Sequence, residues 1–576
     1  MLKRLWHRDT APVGSGRGRF ARLGVDQLEA RCLLSGDVVL SWNAVALDAI
    51  KNDYALGHTP DQGGPTRDSR ALAIVHAAMF DAVNSIDGHY SPYLTVAPNA
   101  AGASIDAAAA QAAHDTLIQL YPSQKAKFDA ALTDTLAHVP DGKAEDGGVA
   151  VGHYVAAAIL AARAGDGSDA MMDYHPIGKP GHHQPDPLHP DQGYLTPDWG
   201  DVTPFAIPDV AQFRSPAPPA LNSAEYTAAF WEVALLGGDG VTTPTLRTAE
   251  QTQVGIFWGY DGSPGLGTPP REYNQIVRIV AQQEHNSVVE NARLFALVNI
   301  AMADAGIQSW DTKYVYDFWR PVVAIRAAQT DGNPDTVRVA DWTPLGAPRD
   351  NDMGGTNFTP PFPSYTSGHA TFGAATFRTL ADFYGRDDIT FSFTSDEFNG
   401  VTKGQDGTVR PVVTRTYHSL SAAAEENGQS RIYLGIHWRF DKVEGIKAGN
   451  AIADYAFANL LRPLGHHRHH APAAFTAAQG DQAAAAAAQA TDVSLVLALS
   501  SYSLKGAVTA HSGGTAGAAR NEVTARVAGA LSQFVAAADN MSAAPAPERD
   551  AALKDLAFVA PDFFNPLGEA DEADIR

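Results

Sequence analysis

Apolar residues recur at helical spacing along most of the chain. The first run opens at Asp68-Ser69, where Leu72, Val75, Met79, Val83 and Ile86 share one face before Gly88 stops it. Ser104 to Tyr121 and Ser123 to Val139 follow, each closed by a proline (Pro122, Pro140), and Val149 to Ala164 ends at Gly165-Asp166-Gly167. Four helices joined by short links predict a bundle. From Asp166 to about Pro219 the periodicity lapses and Pro, Gly, His and Asp dominate, the mark of a functional or covering segment. No helix or strand fixes the spacing of its histidines (His182, His183, His189), so they read as surface residues rather than metal ligands. Helical spacing returns at Ser223 to Leu236, Thr248 to Trp258, Arg271 to Gln283 and Ser287 to Ala305. Alternation at Ile389, Phe391 and Phe393, with the branched run Val409, Val412 and Val413, predicts a small hairpin between Asp388 and Thr416. Helices resume near Ser419 and from Phe440 to Leu461, where Gly445, Gly449 and Ala453 form a small-residue face; Pro463 and Gly465 end the last. The expected fold class is all-α with a minor hairpin.

Composition sharpens this picture at the ends. The 576 residues are 45% hydrophobic and 18% charged, enough for a large core and more than one structural unit. A formal charge of −22 repels nucleic acid and anionic membranes, so any anion site must be locally basic. No apolar run is long enough for a transmembrane helix, and the single cysteine, Cys32, excludes an internal disulfide framework. Residues 1–37 are basic in an acidic protein and read as a leader outside the fold. They lack the apolar centre of an ordinary secretory signal, but their end, Leu28 to Gly36, is similar to short leaders of some exported bacterial proteins, which implies a periplasmic or extracellular location; the alternative is a disordered basic tail. Residues 38–285 read as a first bundle with the 166–219 loop, 286–465 as a second bundle, and 466–576 as a linker and Ala-rich extension. In that extension His466-His467-Arg468-His469-His470 reads as a solvated run, and 493–504 and 521–541 as late helices.

Three segments of the second bundle carry chemistry. In the first, Pro361 to Ser364 hold an extended approach, Thr366 or Ser367 can cap a helix, and the free N–H groups of its first turn make an anion site beside His369. In the second, Lys313 and Arg320 are seven residues apart, within about 20° of one face on a continuous helix. Buried there among Trp310, Tyr314, Phe318 and Trp319, they need a counter-charge, and Asp311 or Asp317 could supply it. In the third, Arg431 and His437 stand about 120° apart on an ideal helix, so convergence requires a bend near Gly435 or the arginine's reach. Asp441, four residues on, can hold one ring nitrogen of His437 and leave the other free. Three permanent cations, a hydroxyl, backbone donors and two imidazoles match a bound oxyanion with a second imidazole for proton transfer.

The series Lys313-x6-Arg320-Pro321, Ser367-Gly368-His369 and Ser430-Arg431-x5-His437-x3-Asp441 resembles the three-part signature of vanadium-dependent haloperoxidases and the type 2 phosphatidic acid phosphatase superfamily. It departs from that pattern at Thr366, where the family usually has proline, which alters loop stiffness more than charge. The resemblance implies two packed helical bundles like those of vanadium chloroperoxidase, and vanadate bound at an apical position by His437. It further implies that Lys313, Arg320 and Arg431, with the Ser367 hydroxyl and the Gly368 N–H, neutralise the vanadate oxygens. His369 would be the acid and base where peroxide enters, Lys313 would polarise the peroxide, and Asp441 would orient His437.

The same pocket can hold phosphate as a substrate group with no cofactor, His437 becoming a phosphohistidine and His369 protonating the leaving oxygen. That alternative is a soluble acid phosphatase. Trp310 and Phe362 resemble the aromatic residues that flank the halide side in chloroperoxidases, where bromoperoxidases tend to carry His at the position of Phe362; the alternative is that both simply wall the core. The favoured expectation is an enzyme that uses hydrogen peroxide to oxidise halide to a hypohalous species, which then halogenates a small organic acceptor. A non-catalytic oxyanion-binding protein is disfavoured, because two imidazoles beside three cations exceed what binding requires.

Overall fold

The helix expected at Asp68 is preceded by another, α1 (Val38–Asp53). Its signal is Asp37, whose carboxylate accepts from the Val39 and Leu40 amides, followed by a run that buries Val39, Trp42, Leu47 and Ile50. The structure, a computed structural model, describes residues 36–352 and 355–465. Residues 1–35 of the basic leader, with Cys32, the His466-to-His470 cluster and the late helices expected at 493–504 and 521–541 lie outside the described residues; Asp37, expected in the leader, belongs to the fold as the cap of α1.

The first group of helices continues with α2 (Pro65–Asp87), α3 (Ile105–Leu120), α4 (Lys125–Leu136) and α5 (Lys143–Arg163). Helix α5 starts six residues before the expected Val149. Gly148 and Gly152 belong to it because a Cβ there would lie 2.5 Å from the Ser104 carbonyl and 2.6 Å from that of Ala108, so glycine lets α5 lie directly on α3. The 166–219 segment follows with only short 3-10 turns at Trp199–Asp201 and Val210–Phe213. Asp304 anchors it by accepting from the amides of Phe205, Ala206 and Ile207. The segment also binds the backbone around the candidate site, through Leu195 N–H to Pro361 O (3.0 Å) and His183 N–H to Asp317 O (2.7 Å).

Next come α6 (Ala224–Leu236), α7 (Ala249–Phe257), α8 (Pro269–Gln283) and α9 (Val288–Tyr316). Ser287 and Glu290 form a capping box at the start of α9, which runs eleven residues past the expected Ala305. It stops at Asp317, which takes a left-handed conformation at φ 52°. After the short α10 (Pro321–Arg326) come α11 (Gly368–Tyr384), α12 (Leu420–Tyr433) and α13 (Arg439–Asn459). The hairpin is β1 (Phe391–Thr394) against β2 (Thr414–Tyr417), antiparallel, with Phe391 opposite Tyr417.

The largest core cluster runs from α1 through α9 to the end of α13, so both groups of helices share it. A second cluster of Tyr226, Phe230, Trp319, Trp342 and Trp438 packs behind the candidate site. Helices α11 and α13 touch through Gly445 and Gly449, where a Cβ would lie 3.0 Å from the Ser367 carbonyl and 2.3 Å from that of Thr371. That approach holds the start of α11 against the start of α13, and Ser367 N–H donates to Asp441 O (3.0 Å). Among the described residues no helix is long and apolar enough to cross a membrane.

Candidate functional site

Lys313 and Arg320 do not share a helix face, contrary to the spacing argument. Helix α9 ends at Tyr316, and Arg320 is the extended N-cap of α10, because the turn at Asp317 and the proline at 321 break the helix between them. The two cations still converge. Lys313 Nζ lies 5.0 Å from the centroid of the Phe362 ring and the Arg320 guanidinium carbon 4.9 Å from it. Neither aspartate considered as a counter-charge reaches them: Asp311 pairs with Arg214, and Asp317 with Tyr174 and His182. Lys313 instead donates to the backbone carbonyls of Pro363, Ser364 and Thr366. Burial, then repulsion from Arg320, pushes its pKa well down.

Arg320 donates through Nε to Phe362 O (2.9 Å) and through Nη1 to Ile436 O (2.8 Å) and His437 Nε2 (2.9 Å). Its Nη2 is buried with no partner. Arg431 donates to Ser430 Oγ, to the carbonyls of Gly255 and Trp258, and to Asp261 Oδ2 at 3.0 Å, four of its five N–H groups. The bend that brings Arg431 and His437 together lies at Gly435, φ 74°, just after α12 ends. There a Cβ would meet the Gly237 carbonyl at 2.5 Å.

His437 is 2% exposed. Its Nδ1 lies 2.7 Å from Asp441 Oδ2, and its Nε2 faces the Arg320 donor. Only the Nδ1–H tautomer satisfies both contacts, so Nε2 carries a lone pair. Burial and then Arg320 push the ring's pKa well below its ordinary value and keep it neutral. Asp441 Oδ2 also accepts from Ser364 Oγ and Trp438 N–H, while burial pushes this carboxyl up to about 6. His369, in the first turn of α11, donates through Nε2 to Gly259 O (2.8 Å), which leaves Nδ1 as the basic nitrogen of the neutral ring. Burial followed by Arg431 lowers its pKa as well. Ser367 caps α11, its Oγ 3.4 Å from Ala370 N, and the amides of Gly368 and His369 begin the helix without intrahelical partners. Trp310 and Phe362 pack together at 4.8 Å and line a cavity of about 220 Å³ that ends at His369 and His437.

Three further residues support the site. Asp261 holds Arg431 and stands 3.9 Å from His369 Nε2; Gly259 fixes His369; Ser364 binds Asp441. The turn signal Gly259-Tyr260-Asp261-Gly262 was available, and Tyr260 sits there at φ 51° with its amide bonded to Glu397. The surface expectation fails for His183. It is 2% exposed, lies between Tyr174 and Tyr194, and has no partner on either ring nitrogen, because Asp317 draws the loop inward by its backbone. His182 and His189 instead pair with Asp317 and Asp186.

The fold is α-helical, and its buried seat of cations and two imidazoles is one that can hold an oxyanion. A profile of the "VCPO second helical-bundle domain" matches residues 293–465. The vanadium chloroperoxidase of Curvularia inaequalis is 33% identical over 492 residues, 70% of this chain and 78% of that protein. A crystal structure of the first bacterial vanadium-dependent iodoperoxidase superposes with TM-score 0.58 at 24% identity, covering 73% of this chain and 97% of the other. A holo-type bacterial vanadium-dependent chloroperoxidase superposes at 0.55 and 18%, covering 70% and 94%. The chain belongs to the vanadium haloperoxidase family.

Proposed function

We propose that the protein is a vanadate-dependent haloperoxidase that uses hydrogen peroxide to oxidise halide to a hypohalous species. The observation that carries this reading is the set of partners around His437. Lys313 and Arg320 are buried there, bonded to backbone carbonyls and, for Arg320, to the His437 ring, with no carboxylate at ion-pair distance among the described residues. Buried cationic side chains without an ion-pair partner call for an anion. The orphaned Nη2 of Arg320 and the lone pair on His437 Nε2 are the donor and the ligand atom that an oxyanion such as vanadate requires, so the residues fit the group.

When bound, vanadate supplies a Lewis-acidic centre that renders peroxide electrophilic toward halide. The chain's own groups do the rest. His437 would hold the group through Nε2, the nitrogen that Arg320 Nη1 faces at 2.9 Å. Asp441 holds the ring in the ligating tautomer. Arg320, Arg431 and Lys313, with the Ser367 hydroxyl and the Gly368 amide, neutralise oxygen charge. His369 Nδ1 accepts a proton from incoming peroxide and returns it to the departing oxygen. Trp310 and Phe362 give a halide a dry, polarisable wall.

The test is bromide oxidation by the purified protein with peroxide, with and without vanadate, beside a phosphomonoester assay. Vanadate-requiring oxidation that disappears in His437→Ala supports the proposal. Phosphate release inhibited by vanadate, without halide oxidation, would replace it with the acid phosphatase.

A further inference from the structure

Two groups of the site hang on one turn beside it. The Gly259 carbonyl accepts from His369 Nε2 (2.8 Å), while Trp258 O and Asp261 Oδ2 accept from Arg431 (2.6 and 3.0 Å). Between them Tyr260 takes a left-handed conformation, φ 51°, which a bulky residue rarely adopts and keeps only where its surroundings impose it.

Those surroundings come from the connection between β1 and β2, where a 3-10 turn spans Asp396–Phe398. Tyr260 N–H donates to Glu397 Oε1 (2.8 Å), Asp396 N–H donates to the Tyr260 hydroxyl (2.8 Å), and Ser395 Oγ donates to Phe257 O (2.6 Å). The Tyr260 hydroxyl donates in turn to Gln275 Oε1 (2.9 Å). Tyr260 and Glu397 are both fully buried, so the loss of Glu397 would strand the Tyr260 amide. Glycine at 259 makes the approach possible, since a Cβ there would lie 2.2 Å from Glu397 Oε1.

Glu397 is itself fixed in place. Its Oε2 accepts from Arg410 Nη1 (2.7 Å), which also donates to Asp350 Oδ2 (2.5 Å). Two buried carboxyls around one guanidinium favour a state in which one of them is neutral. Burial, followed by repulsion from Asp350, pushes the Glu397 pKa well up. Glu397 therefore has a proton to donate to Asp350 and keeps Oε1 as a carbonyl-type acceptor for Tyr260.

We propose that Glu397 is a positioning residue: as acceptor of the Tyr260 amide it holds the Gly259 carbonyl against His369, which fixes that ring's proton on Nε2 and leaves Nδ1 basic. Glu397 acts through the turn and does not touch substrate. The small hairpin thus carries the clamp for the acid and base of the site. The inference deepens the haloperoxidase reading, in which His369 Nδ1 takes the peroxide proton, and rests on that reading for its effect on rate.

The experiment is long-range 1H–15N correlation spectroscopy of protein labelled with 15N-histidine, without vanadate, which reports the tautomer of each ring. The His369 signals are those missing from His369→Ala. Native His369 is expected wholly in the Nε2–H form and His437 in the Nδ1–H form. Glu397→Gln keeps an acceptor oxygen and supplies an N–H for Asp350, and it is expected to match the native spectrum. Glu397→Leu, similar in size but with no acceptor, is expected to mix the two tautomers at His369 and leave His437 unchanged. Should that variant not fold, Gly259→Ala forces the turn away from the same oxygen and is expected to give the same mixture. Bromide oxidation at saturating peroxide and vanadate is expected to fall about tenfold in Glu397→Leu or Gly259→Ala and to stay within about twofold of native in Glu397→Gln. His369 still wholly Nε2–H in the Leu and Ala variants, equal mixing in Glu397→Gln, or a change at His437 as large as that at His369 would overturn the positioning role. Native protein with the expected tautomers and no bromide oxidation overturns the haloperoxidase reading instead, and the spectra then decide the role of Glu397 by themselves.

Discussion

Replacing Asp441 by asparagine removes one charge from the site and little else. Its Oδ2 gathers three donors, His437 Nδ1 at 2.7 Å, Trp438 N–H at 3.1 Å and the Ser364 hydroxyl, while Oδ1 is buried without a partner. An asparagine oxygen can take the Oδ2 position, which puts its NH2 where nothing accepts it. Hydrogen bonds to a charged group contribute roughly 1.5–3 kcal/mol, about twice a neutral bond, so His437 loses about 1.5 kcal/mol of support for its Nδ1–H tautomer and for the basicity of Nε2. That corresponds to roughly tenfold weaker vanadate binding. If the amide turns its NH2 toward the ring, the proton moves to Nε2, the ligand atom is lost, and the effect approaches about a hundredfold. Equilibrium dialysis of vanadate against native protein and Asp441→Asn measures this, with near-ultraviolet circular dichroism confirming the same fold. A dissociation constant within about twofold of the native value, in a variant with native dichroism, would refute the claim that Asp441 sets the state of His437.

Three further outcomes are expected. His369→Ala retains vanadate binding but loses roughly 10²- to 10⁴-fold in bromide oxidation, because it removes the proton carrier and not the ligand; paired binding and rate measurements check this. Lys313→Met leaves the Pro363, Ser364 and Thr366 carbonyls without their donor and lowers stability by roughly 1–3 kcal/mol, read as a drop in melting temperature without vanadate. His183→Phe tests burial in the long loop. Burial, followed by Arg320 and Lys313, pushes the His183 pKa down to about 3, so the unfolded chain binds one proton more than the folded one between that value and its ordinary pKa. Stability from this group is full at pH 8 and lost as pH falls, and the variant should gain about 2 kcal/mol relative to native protein on going from pH 8 to pH 5. Denaturant midpoints at the two pH values report it, and a constant difference would contradict the burial.

Individual elements show what could be read from the chain and what could not. Helices with a one-sided apolar face and a capping residue were legible, as at Ser104, Ser223 and Ser287, each of which caps its helix. Helix α1 escaped because its apolar residues are not confined to one stripe, and the start of α5 because two glycines that normally weaken a helix serve its contact with α3. Lys313, Arg320, Ser367, Gly368, His369, Arg431, His437 and Asp441 could be named from spacing and residue type. How they meet could not: periodicity extrapolates a helix through Asp317, whereas the left-handed residue and Pro321 break it. Asp261 and Gly259 stayed hidden because their partners, Arg431 and His369, are more than a hundred residues away, and nothing local encodes such a pairing. His183 was misread because a Pro- and His-rich composition looks solvated, while its burial comes from one backbone bond to Asp317.

The central claim is that His437 Nε2, among three cations, is the ligand atom for vanadate. The most direct measurement is a crystal soaked with vanadate, with the vanadium located by anomalous scattering. A single vanadium within bonding distance of His437 Nε2, with Arg320 turned from the imidazole to the oxyanion and no such peak in His437→Ala, is the predicted result. Vanadium bound elsewhere, or a site filled equally well without His437, would contradict it.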